Sequence, residues 1–302
     1  MELGIVGLGR MGANMAVRLL QGGHRVVGYD PQPEAVQRHV SKGGVAARTL
    51  RAVVEQLTPL RAVWLMVPSG NPVDQTIDAL LPDLANGDVL IDGGNSYYKD
   101  SIRHADRVTK RGVHYVDVGT SGGIWGVKEG YSLMVGGDRE VAERLTPIFK
   151  TLAPGADLGW GHVGSHGAGH YVKMVHNAIE YGMMQAYAEG FELMQKKAEF
   201  KLDLKQIAEI WRFGSVVRSW LLDLTANALA ENPNLEGIAA FVQDSGEGRW
   251  TVIEAIEQAC AVPVITMALE RRFRSREAEP FGDRLLAALR AQFGGHAVKR
   301  KT

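Results

Sequence analysis

The stretch that decides the fold is Glu2-Leu3-Gly4-Ile5-Val6-Gly7-Leu8-Gly9-Arg10-Met11-Gly12, at the start of the 302-residue sequence. The apolar run Leu3–Val6 predicts a buried strand, and Gly12–Gln21 has the composition of a helix. The glycines between them form the pattern G-x-G-x-x-G, which permits a tight turn, close approach to a pyrophosphate, and close helix–sheet packing. The first turn of the helix offers free N–H groups to phosphates. The expected dinucleotide contacts are Gly7, Gly9, Met11 and Gly12.

Short apolar runs then alternate with helical patterns up to residue 164. The later strands are expected at Arg25–Tyr29, Ala62–Val67, Val89–Asp92, His114–Val118, Ser132–Val135 and Ala156–Trp160. The helices between them are expected at Glu34–Val40, Leu50–Gln56, Val73–Leu80, Ser101–Arg111 and Val141–Leu152. Alternation of strands and helices predicts a parallel sheet with helices on both faces. Residues 1–164 are therefore expected to form an α/β Rossmann-type dinucleotide-binding domain.

Strand patterns stop after Gly164, and residues 165–302 are expected to form an all-α domain. Its central helix spans His166–Lys197, long enough to cross a whole domain. The helices after it are expected at Asp203–Phe213, Arg218–Glu231, Arg249–Ala261, Pro263–Arg274 and Gly282–Phe293.

Asp30 stands at the end of the second predicted strand, 18 residues after Gly12. A carboxylate there can accept hydrogen bonds from both adenosine ribose hydroxyls and repels a 2′-phosphate. Pro31 follows, where an enzyme for the phosphorylated cofactor would favour an arginine. The carboxylate of Asp30 therefore predicts that the cofactor is NAD rather than NADP. The alternative is that Asp30 only caps a turn with Pro31.

The central helix carries Lys173, His176, Asn177, Glu180 and Tyr181 along one side, at spacings of 3, 4, 7 and 8 residues. Apolar residues cover most of the remaining circumference, which predicts a buried helix. A buried lysine can lose its proton and act as a base. The alternative is a solvated stripe with an ordinary lysine–glutamate pair.

Two glycine-bearing segments follow predicted strands, at the sheet edge where open α/β sheets bind ligands. They are Asp92-Gly93-Gly94-Asn95-Ser96 and Gly119-Thr120-Ser121-Gly122-Gly123. Their hydroxyl and backbone N–H groups suit a small substrate with carboxylate or hydroxyl groups. Each segment alone could equally be an ordinary turn between a strand and a helix.

The composition excludes several classes of protein. Lys+Arg and Asp+Glu both number 34, which argues against a dedicated nucleic-acid binder. One cysteine, Cys260, cannot form an internal disulfide and favours a reducing compartment. The sequence has no secretory pattern and no apolar run long enough for a membrane span. The expectation is a cytoplasmic protein whose partner is a small molecule.

Together these segments resemble the decarboxylating 6-phosphogluconate dehydrogenases, within the β-hydroxyacid dehydrogenase superfamily. The matching motifs are Gly7–Gly12, Ile91–Ser96, Thr120–Gly123, Ser132–Gly137, Lys173–Tyr181, Gly246–Thr251 and Arg290–His296. The His-Asn-x-x-Glu-Tyr run and the Arg-x-x-Phe-Gly-x-His ending are the most specific of them. The sequence resembles the short form of the family, which lacks the duplicated helical segment of longer members.

The resemblance implies oxidative decarboxylation of 6-phosphogluconate to ribulose 5-phosphate and CO2, with hydride transfer to NAD and no metal. It implies that Lys173 is the general base at the C3 hydroxyl and that Glu180 is the acid that protonates C1 of the enediol. The residues expected to bind the substrate's hydroxyls and carboxylate are Asn95, Ser121, Gly122, Gly123, His176 and Asn177. Asn95 is also expected to contact the cofactor.

The resemblance also implies how the substrate phosphate is bound. The matching residues are Tyr181, Arg272, Arg290 and His296, the last two contributed by a neighbouring subunit of a homodimer or homotetramer. Arg274 and Arg276 are alternatives to Arg272, because the match to the family has a short gap after Val262-Pro263-Val264. The apolar residues of the last helix permit such an assembly, although a monomer core would show the same pattern.

The sequence departs from the family pattern at three places. Ser245 replaces a phosphate-contacting lysine of longer members, Glu247 replaces a threonine, and Ile124-Trp125 replaces a pair of glutamates. The first two changes remove phosphate ligands and add a negative charge. They are either normal for short forms or indicate a different sugar acid. The alternatives are a non-decarboxylating β-hydroxyacid dehydrogenase with the same base, and a catalytically silent dinucleotide-binding regulator.

Overall fold

The computed structural model describes residues 1–294 and 297–299. The chain divides into two units, residues 1–176 and 177–302. The division falls within one long helix, Ala168–Lys196. The domain boundary between residues 164 and 165 stays a prediction.

The first unit contains a single sheet. Its strands are β1 (Glu2–Val6), β2 (Arg25–Tyr29), β3 (Val45–Ala46), β4 (Ala62–Leu65), β5 (Val89–Asp92), β6 (His114–Ser121), β7 (Ser132–Gly137) and β8 (Trp160–Gly164). They lie in the order β3-β2-β1-β4-β5-β6-β7-β8. Neighbouring strands from β3 to β6 pair in parallel, whereas β7 runs antiparallel to β6 and parallel to β8. The predicted α/β class is confirmed.

Helices cover both faces of this sheet. They are α1 (Arg10–Gln21), α2 (Pro33–Ser41), α3 (Leu50–Glu55), α4 (Asn71–Leu80), α5 (Tyr98–Thr109), α6 (Gly126–Glu129), α7 (Arg139–Arg144) and α8 (Thr146–Leu152). Successive residues of a strand point to opposite faces, so a strand covered on both faces needs apolar residues throughout. Ile5 accordingly belongs to an apolar cluster with Met15 of α1, and the adjacent Val6 belongs to a second cluster with Val53 of α3.

The second unit is helical. Its helices are the C-terminal part of α9 (Ala168–Lys196), α10 (Leu204–Arg212), α11 (Trp220–Glu231), α12 (Glu247–Glu257), α13 (Pro263–Arg274) and α14 (Phe281–Gly294). α10 and α11 each begin at a side-chain cap. Asp203 accepts from the Gln206 N–H at the start of α10, and Ser219 accepts from the Leu222 N–H at the start of α11. The predicted all-α region with a long central helix is confirmed. Within residues 1–294 and 297–299, each helix is too short or too polar to cross a membrane.

Three local predictions were wrong. β3 was not predicted, because a two-residue edge strand carries no periodicity. The last strand was predicted at Ala156–Trp160 but lies at Trp160–Gly164, where pairing with β7 outweighs the low strand propensity of glycine. One helix was predicted where the structure has α7 and α8, because Pro147 favours the first turn of a new helix.

The sequence also predicted a buried α9, with apolar residues over most of its circumference, and this prediction was wrong for the single chain. Its apolar residues Val172, Ile179, Met183 and Met184 are 37–51% exposed. Lys173 and Met174 are buried in the first unit, and Ala178 and Tyr181 are buried in the second. An apolar pattern does not distinguish packing within a chain from packing against another chain.

Candidate active site

The glycine-rich turn between β1 and α1 leaves open space at one glycine. Gly7 has a φ of +95°, and a Cβ there would lie 2.5 Å from the Met66 carbonyl oxygen. A Cβ on Gly12 would lie 2.0 Å from the Gly7 carbonyl oxygen. A Cβ on Gly9, in contrast, would have no heavy atom within 4 Å among the described residues. The first and third glycines are therefore required by the fold, whereas Gly9 leaves room for a ligand.

The same turn is bound to Asp30. The Leu8 N–H donates to Asp30 Oδ2 at 2.7 Å, and the Gln32 N–H donates to Oδ1 at 2.9 Å. A carboxylate has about four acceptor positions, so two stay available for ribose hydroxyls. The N-cap residue of α1, Gly9, has no side chain to cap the helix, so the first N–H groups of α1, where Met11 lies, suit a pyrophosphate. The arrangement of these residues fits NAD. Asp30 also accepts from the Gln32 N–H and so forms a local turn, which was the alternative interpretation of this residue.

The two glycine-bearing loops lie at the carboxyl ends of neighbouring strands, β5 and β6. Asn95 is exposed, and Asp92 supports its loop by accepting from the Gly94 N–H at 3.1 Å and from Ser96 Oγ at 2.8 Å. In the second loop, Gly122 and Gly123 have φ values of +130° and +51°, which glycine adopts readily.

This second loop is open to a ligand. Ser121 and Gly122 are half-buried and Gly123 is exposed. An added Cβ at Gly123 would find no heavy atom within 4 Å in the described part of the chain. The backbone of this loop can therefore be approached by a small polar molecule.

Lys173 is buried where α9 crosses the end of β6. Only 7% of the residue is exposed, and its Nζ lies 3.5 Å from His176 Nδ1. A Cβ on Gly119 would lie 2.4 Å from Lys173 Cβ, so glycine at that position lets α9 approach the strand. Lys173 is thus buried against the C-terminal part of β6, the strand that leads into the Gly122–Gly123 turn.

In the second unit, Tyr181 and Arg272 are in direct contact. Tyr181 is 6% exposed, and the Arg272 guanidinium lies 3.5 Å from the centroid of its ring. The Tyr181 hydroxyl accepts from the Ser245 N–H at 3.3 Å. Arg274 pairs with Asp283, and Arg276 pairs with Asp244. Of the three candidate arginines, Arg272 is thus the one that contacts Tyr181 in the described part of the unit.

The departure at position 247 places a carboxylate close to this pair. Glu247 is 1% exposed, and its Oε2 accepts from Ser245 Oγ at 2.6 Å. Its Oε1 has no hydrogen-bond partner among the described residues. Glu247 is the first residue of α12, where a helix attracts negative charge. An internal carboxylate therefore stands where a helix could otherwise bind an external anion.

The remaining predicted site residues are more exposed or lie outside the described residues. Asn177 and Glu180 are half-buried on α9. Arg290 is exposed on α14, and its role in another subunit stays a prediction. His296 lies outside the described residues.

Sequence reasoning missed Asp117, a fully buried carboxylate in β6. It accepts from the Gly167 N–H at 2.7 Å and from the His170 N–H at 2.9 Å, so it caps the start of α9. The available signal was an acidic residue within an apolar strand, Tyr115-Val116-Asp117-Val118.

Family models match almost the whole chain. Residues 2–164 match the NAD binding domain of 6-phosphogluconate dehydrogenase, and residues 169–288 match the 6-phosphogluconate dehydrogenase C-terminal domain. The chain is 45% identical over 302 residues to an NAD(+)-dependent, decarboxylating 6-phosphogluconate dehydrogenase of Haloferax volcanii, covering 100% of this chain and 99% of that protein.

Two further relatives agree. The chain is 42% identical to a putative 6-phosphogluconate dehydrogenase of Bacillus subtilis, with 100% of both proteins covered. The structure of Plasmodium falciparum 6-phosphogluconate dehydrogenase superposes with a TM-score of 0.84 at 28% identity, covering 100% of this chain and 66% of that longer one. The chain therefore belongs to the 6-phosphogluconate dehydrogenase family.

Proposed function

We propose that this protein oxidatively decarboxylates 6-phosphogluconate to ribulose 5-phosphate and CO2, with NAD as the hydride acceptor. The observation that carries the proposal is the buried Lys173 beside the glycine loop at the end of β6. A base in that position is needed to oxidise a hydroxyl group. Full-length similarity to the Haloferax volcanii enzyme supports both the substrate and the cofactor.

NAD, when bound, supplies the acceptor for the hydride that leaves C3. Lys173 accepts the proton of the C3 hydroxyl as this hydride departs, which leaves a ketone β to the carboxylate. Lys173, now an ammonium, donates a hydrogen bond to the keto oxygen while the bond from C2 to the carboxylate breaks and CO2 departs. The electron pair of that bond becomes part of an enediol, whose C3 oxygen receives the lysine proton.

Glu180 completes the reaction by protonating C1 of the enediol, which is C2 of the substrate. Lys173 takes back the proton of the neighbouring hydroxyl, so the ketone of ribulose 5-phosphate forms. One proton leaves a hydroxyl and one is added to carbon, so the overall reaction balances without a metal. Lys173 and Glu180 are two turns apart on α9, so each can act at a different carbon of one extended substrate.

The test is an assay of 6-phosphogluconate and gluconate side by side, with NADH and CO2 both measured. We expect equimolar NADH and CO2 from 6-phosphogluconate, and a kcat/KM for gluconate lower by about a hundredfold because it lacks charge-assisted phosphate contacts. NADH without CO2 would instead indicate a non-decarboxylating β-hydroxyacid dehydrogenase. NAD binding with no turnover of any sugar acid would indicate a silent regulator.

One observation favours a non-phosphorylated sugar acid as a second candidate substrate. Ser245 and Glu247 bond to each other and leave a buried carboxylate close to Tyr181. That charge repels a phosphate, whereas a sugar hydroxyl could donate to it. Faster turnover of gluconate in the same assay would select this candidate.

The choice of NAD over NADP depends on Asp30. We expect the double substitution Asp30→Asn, Pro31→Arg to raise the NADP/NAD ratio of kcat/KM roughly tenfold to a hundredfold, because it removes a repelling carboxylate and adds a phosphate ligand. Asparagine retains an acceptor for the Leu8 N–H, so the turn should persist. Asp157→Asn, which removes a carboxylate that is 88% exposed, is the control. An unchanged ratio would place the ribose hydroxyls elsewhere.

We also infer that the protein is a homodimer or a homotetramer in which Arg290 and His296 complete the phosphate site of a neighbouring subunit. Large apolar side chains are exposed on the second unit, including Leu193, Phe213, Ile256 and Leu286 at 62–76%. Such a surface is typical of an interface between subunits. The exposure of Arg290 leaves it available to another chain.

Mixed dimers test this inference. Arg290→Ala and Lys173→Met are each expected to inactivate a homodimer. When the two variants are co-expressed, one site of each mixed dimer has both residues intact, so about a quarter of wild-type activity should return. If the mixture is no more active than the separate variants, Arg290 does not act across subunits.

A further inference from the structure

One buried carboxylate, that of Asp117, has no role in the reaction described above. Asp117 is 0% exposed and lies in β6, which pairs with β5 on one side and with β7 on the other. Burial of a charged group costs free energy unless the group is hydrogen-bonded, and an apolar side chain of similar volume is often as stable in such a place. A carboxylate at this position is therefore expected to serve a specific contact.

Both oxygens of this carboxylate bind the start of α9. Oδ1 accepts from the Gly167 N–H at 2.7 Å, and Oδ2 accepts from the His170 N–H at 2.9 Å. The first N–H groups of a helix have no partner within the helix, and a side chain just before the first turn commonly accepts from one of them. Here the acceptor lies 50 residues before Gly167 in the sequence. Such a contact caps the helix and also ties the helix to the sheet.

Glycines leave the space that this contact between helix and sheet needs. A Cβ on Gly136, in β7, would lie 2.6 Å from Asp117 Oδ1 and 2.6 Å from the Gly169 nitrogen. A Cβ on Gly169, in α9, would lie 2.4 Å from the Met134 carbonyl oxygen and 2.5 Å from the Asp117 carbonyl oxygen. These separations are much shorter than van der Waals contact. The first turn of α9 therefore lies directly on β6 and β7, with no room to shift towards them.

The same strand contacts Lys173, about one turn further along α9. Gly119 is two residues after Asp117 in β6, so the two residues face the same side of the sheet. A Cβ on Gly119 would lie 2.4 Å from Lys173 Cβ and 2.6 Å from the Gly169 carbonyl oxygen. Lys173 is three residues after His170, whose N–H donates to Asp117. The position of Lys173 over the end of β6 thus depends on the Asp117 contact.

We propose that Asp117 is a positioning residue, which holds α9 so that Lys173 lies at the C3 hydroxyl of the substrate. The proposal rests on the proposed function, because that function assigns to Lys173 the removal of a proton. A base that is misplaced by about 1 Å can cost on the order of a hundredfold in rate. Loss of the Asp117 contact should therefore slow the oxidation step, while the folded protein still binds NADH.

Asp117→Asn tests the contact, because asparagine has nearly the same shape as aspartate. Its side-chain oxygen can accept from one of the two N–H groups, whereas its amide nitrogen is a donor and cannot accept from the other. With enzyme in excess over 6-phosphogluconate, we expect the single-turnover rate constant of NADH formation to fall about tenfold or more. Titration should still give one NADH site per chain, with a Kd within about twofold of wild type.

A purely structural role for Asp117 would give a different result. Loss of folded protein would lower the number of NADH sites per chain, while the remaining sites would keep the wild-type rate constant. That outcome would overturn the proposal, and so would an unchanged rate constant with all sites present.

Asp88→Asn is the matched control. Asp88 is 1% exposed and also accepts from two backbone N–H groups, those of Arg61 at 2.8 Å and Ala85 at 2.9 Å. It directly precedes β5, so it lies at the opposite edge of the sheet from the loop that carries Asn95. The single-turnover rate constant of Asp88→Asn should equal that of the wild type. An equal fall in both variants would show that loss of any buried carboxylate slows the reaction, and the proposal would fail.

A second variant displaces Lys173 and leaves Asp117 in place, so it decides the question even if Asp117→Asn does not fold. Gly119→Ala adds a Cβ that meets Lys173 Cβ, and we expect it to lower the single-turnover rate constant about tenfold or more. Gly161→Ala, in β8, is its control, because a Cβ there would have no heavy atom within 4 Å among the described residues. If Gly119→Ala keeps the wild-type rate constant, the position of α9 on β6 does not govern the reaction and the proposal fails.

Amide hydrogen exchange tests the contact without turnover. In Asp117→Asn, we expect residues 167–173 to exchange roughly tenfold faster, while Asp88→Asn leaves them unchanged. Unchanged exchange of these residues in Asp117→Asn would contradict the proposal. If wild-type protein makes no NADH from 6-phosphogluconate, the proposed function fails, while the exchange result still decides whether Asp117 holds this part of α9.

Discussion

We expect Lys173→Met to lower kcat by about a thousandfold or more while NADH still binds. Removal of a general base costs on the order of 10²–10⁴-fold, and the same residue also stabilises charge on the keto oxygen. Methionine has a similar length and suits a position that is 7% exposed, so the fold should persist. The measurement is single-turnover NADH formation together with NADH titration.

Lys196→Met is the matched control, because Lys196 lies on the same helix with 71% of its side chain exposed, in a pair with Glu192. Exposed ion pairs of this kind contribute little to the free energy of unfolding, so the kcat of Lys196→Met should equal that of the wild type. Lys173→Arg should be nearly as inactive as Lys173→Met, because arginine keeps the charge but cannot give up its proton. A kcat of Lys173→Met within tenfold of wild type would exclude Lys173 as the base.

The second large effect is expected from Glu180→Gln. Glutamine cannot donate the proton that C1 of the enediol needs, whereas hydride transfer does not use Glu180. We expect a rapid burst of about one NADH per site, followed by turnover on the order of a hundredfold to a thousandfold slower than wild type. Stopped-flow NADH absorbance and measurement of ribulose 5-phosphate in the same samples would separate the two steps.

Glu189→Gln is the control for this substitution, since Glu189 is exposed on the same helix and accepts from Gln185. It should show normal NADH and pentulose formation. If Glu180→Gln releases ribulose 5-phosphate at the wild-type rate, another group protonates the enediol. If its NADH burst also disappears, Glu180 acts before decarboxylation and its assigned role is wrong.

Much of the fold was predictable because local patterns decide it. β2 and β5 have the bounds that short apolar runs predicted, and the glycine-rich turn lies between β1 and α1 as expected. The two-residue strand β3 and the glycine-bearing strand β8 were missed or shifted, since pairing with a neighbouring strand defines them.

The candidate site was only partly predictable. Spacing on one helix was enough to group Lys173 with His176, and the structure places their side-chain nitrogens 3.5 Å apart. Ser101 Oγ lies 2.6 Å from His170 Nδ1, and this contact joins residues 69 positions apart, which no local pattern reveals. The exposed face of α9 likewise could not be predicted, because apolar residues in a helix occur both in a core within one chain and in an interface between subunits.

The most direct measurement is a crystal structure of the protein with 6-phosphogluconate and NADH bound. We predict that Lys173 Nζ lies about 2.6–3.2 Å from the C3 hydroxyl oxygen, and that the substrate also lies within hydrogen-bonding reach of Ser121. A Lys173 amine that points into solvent, more than about 5 Å from that oxygen, would contradict the account.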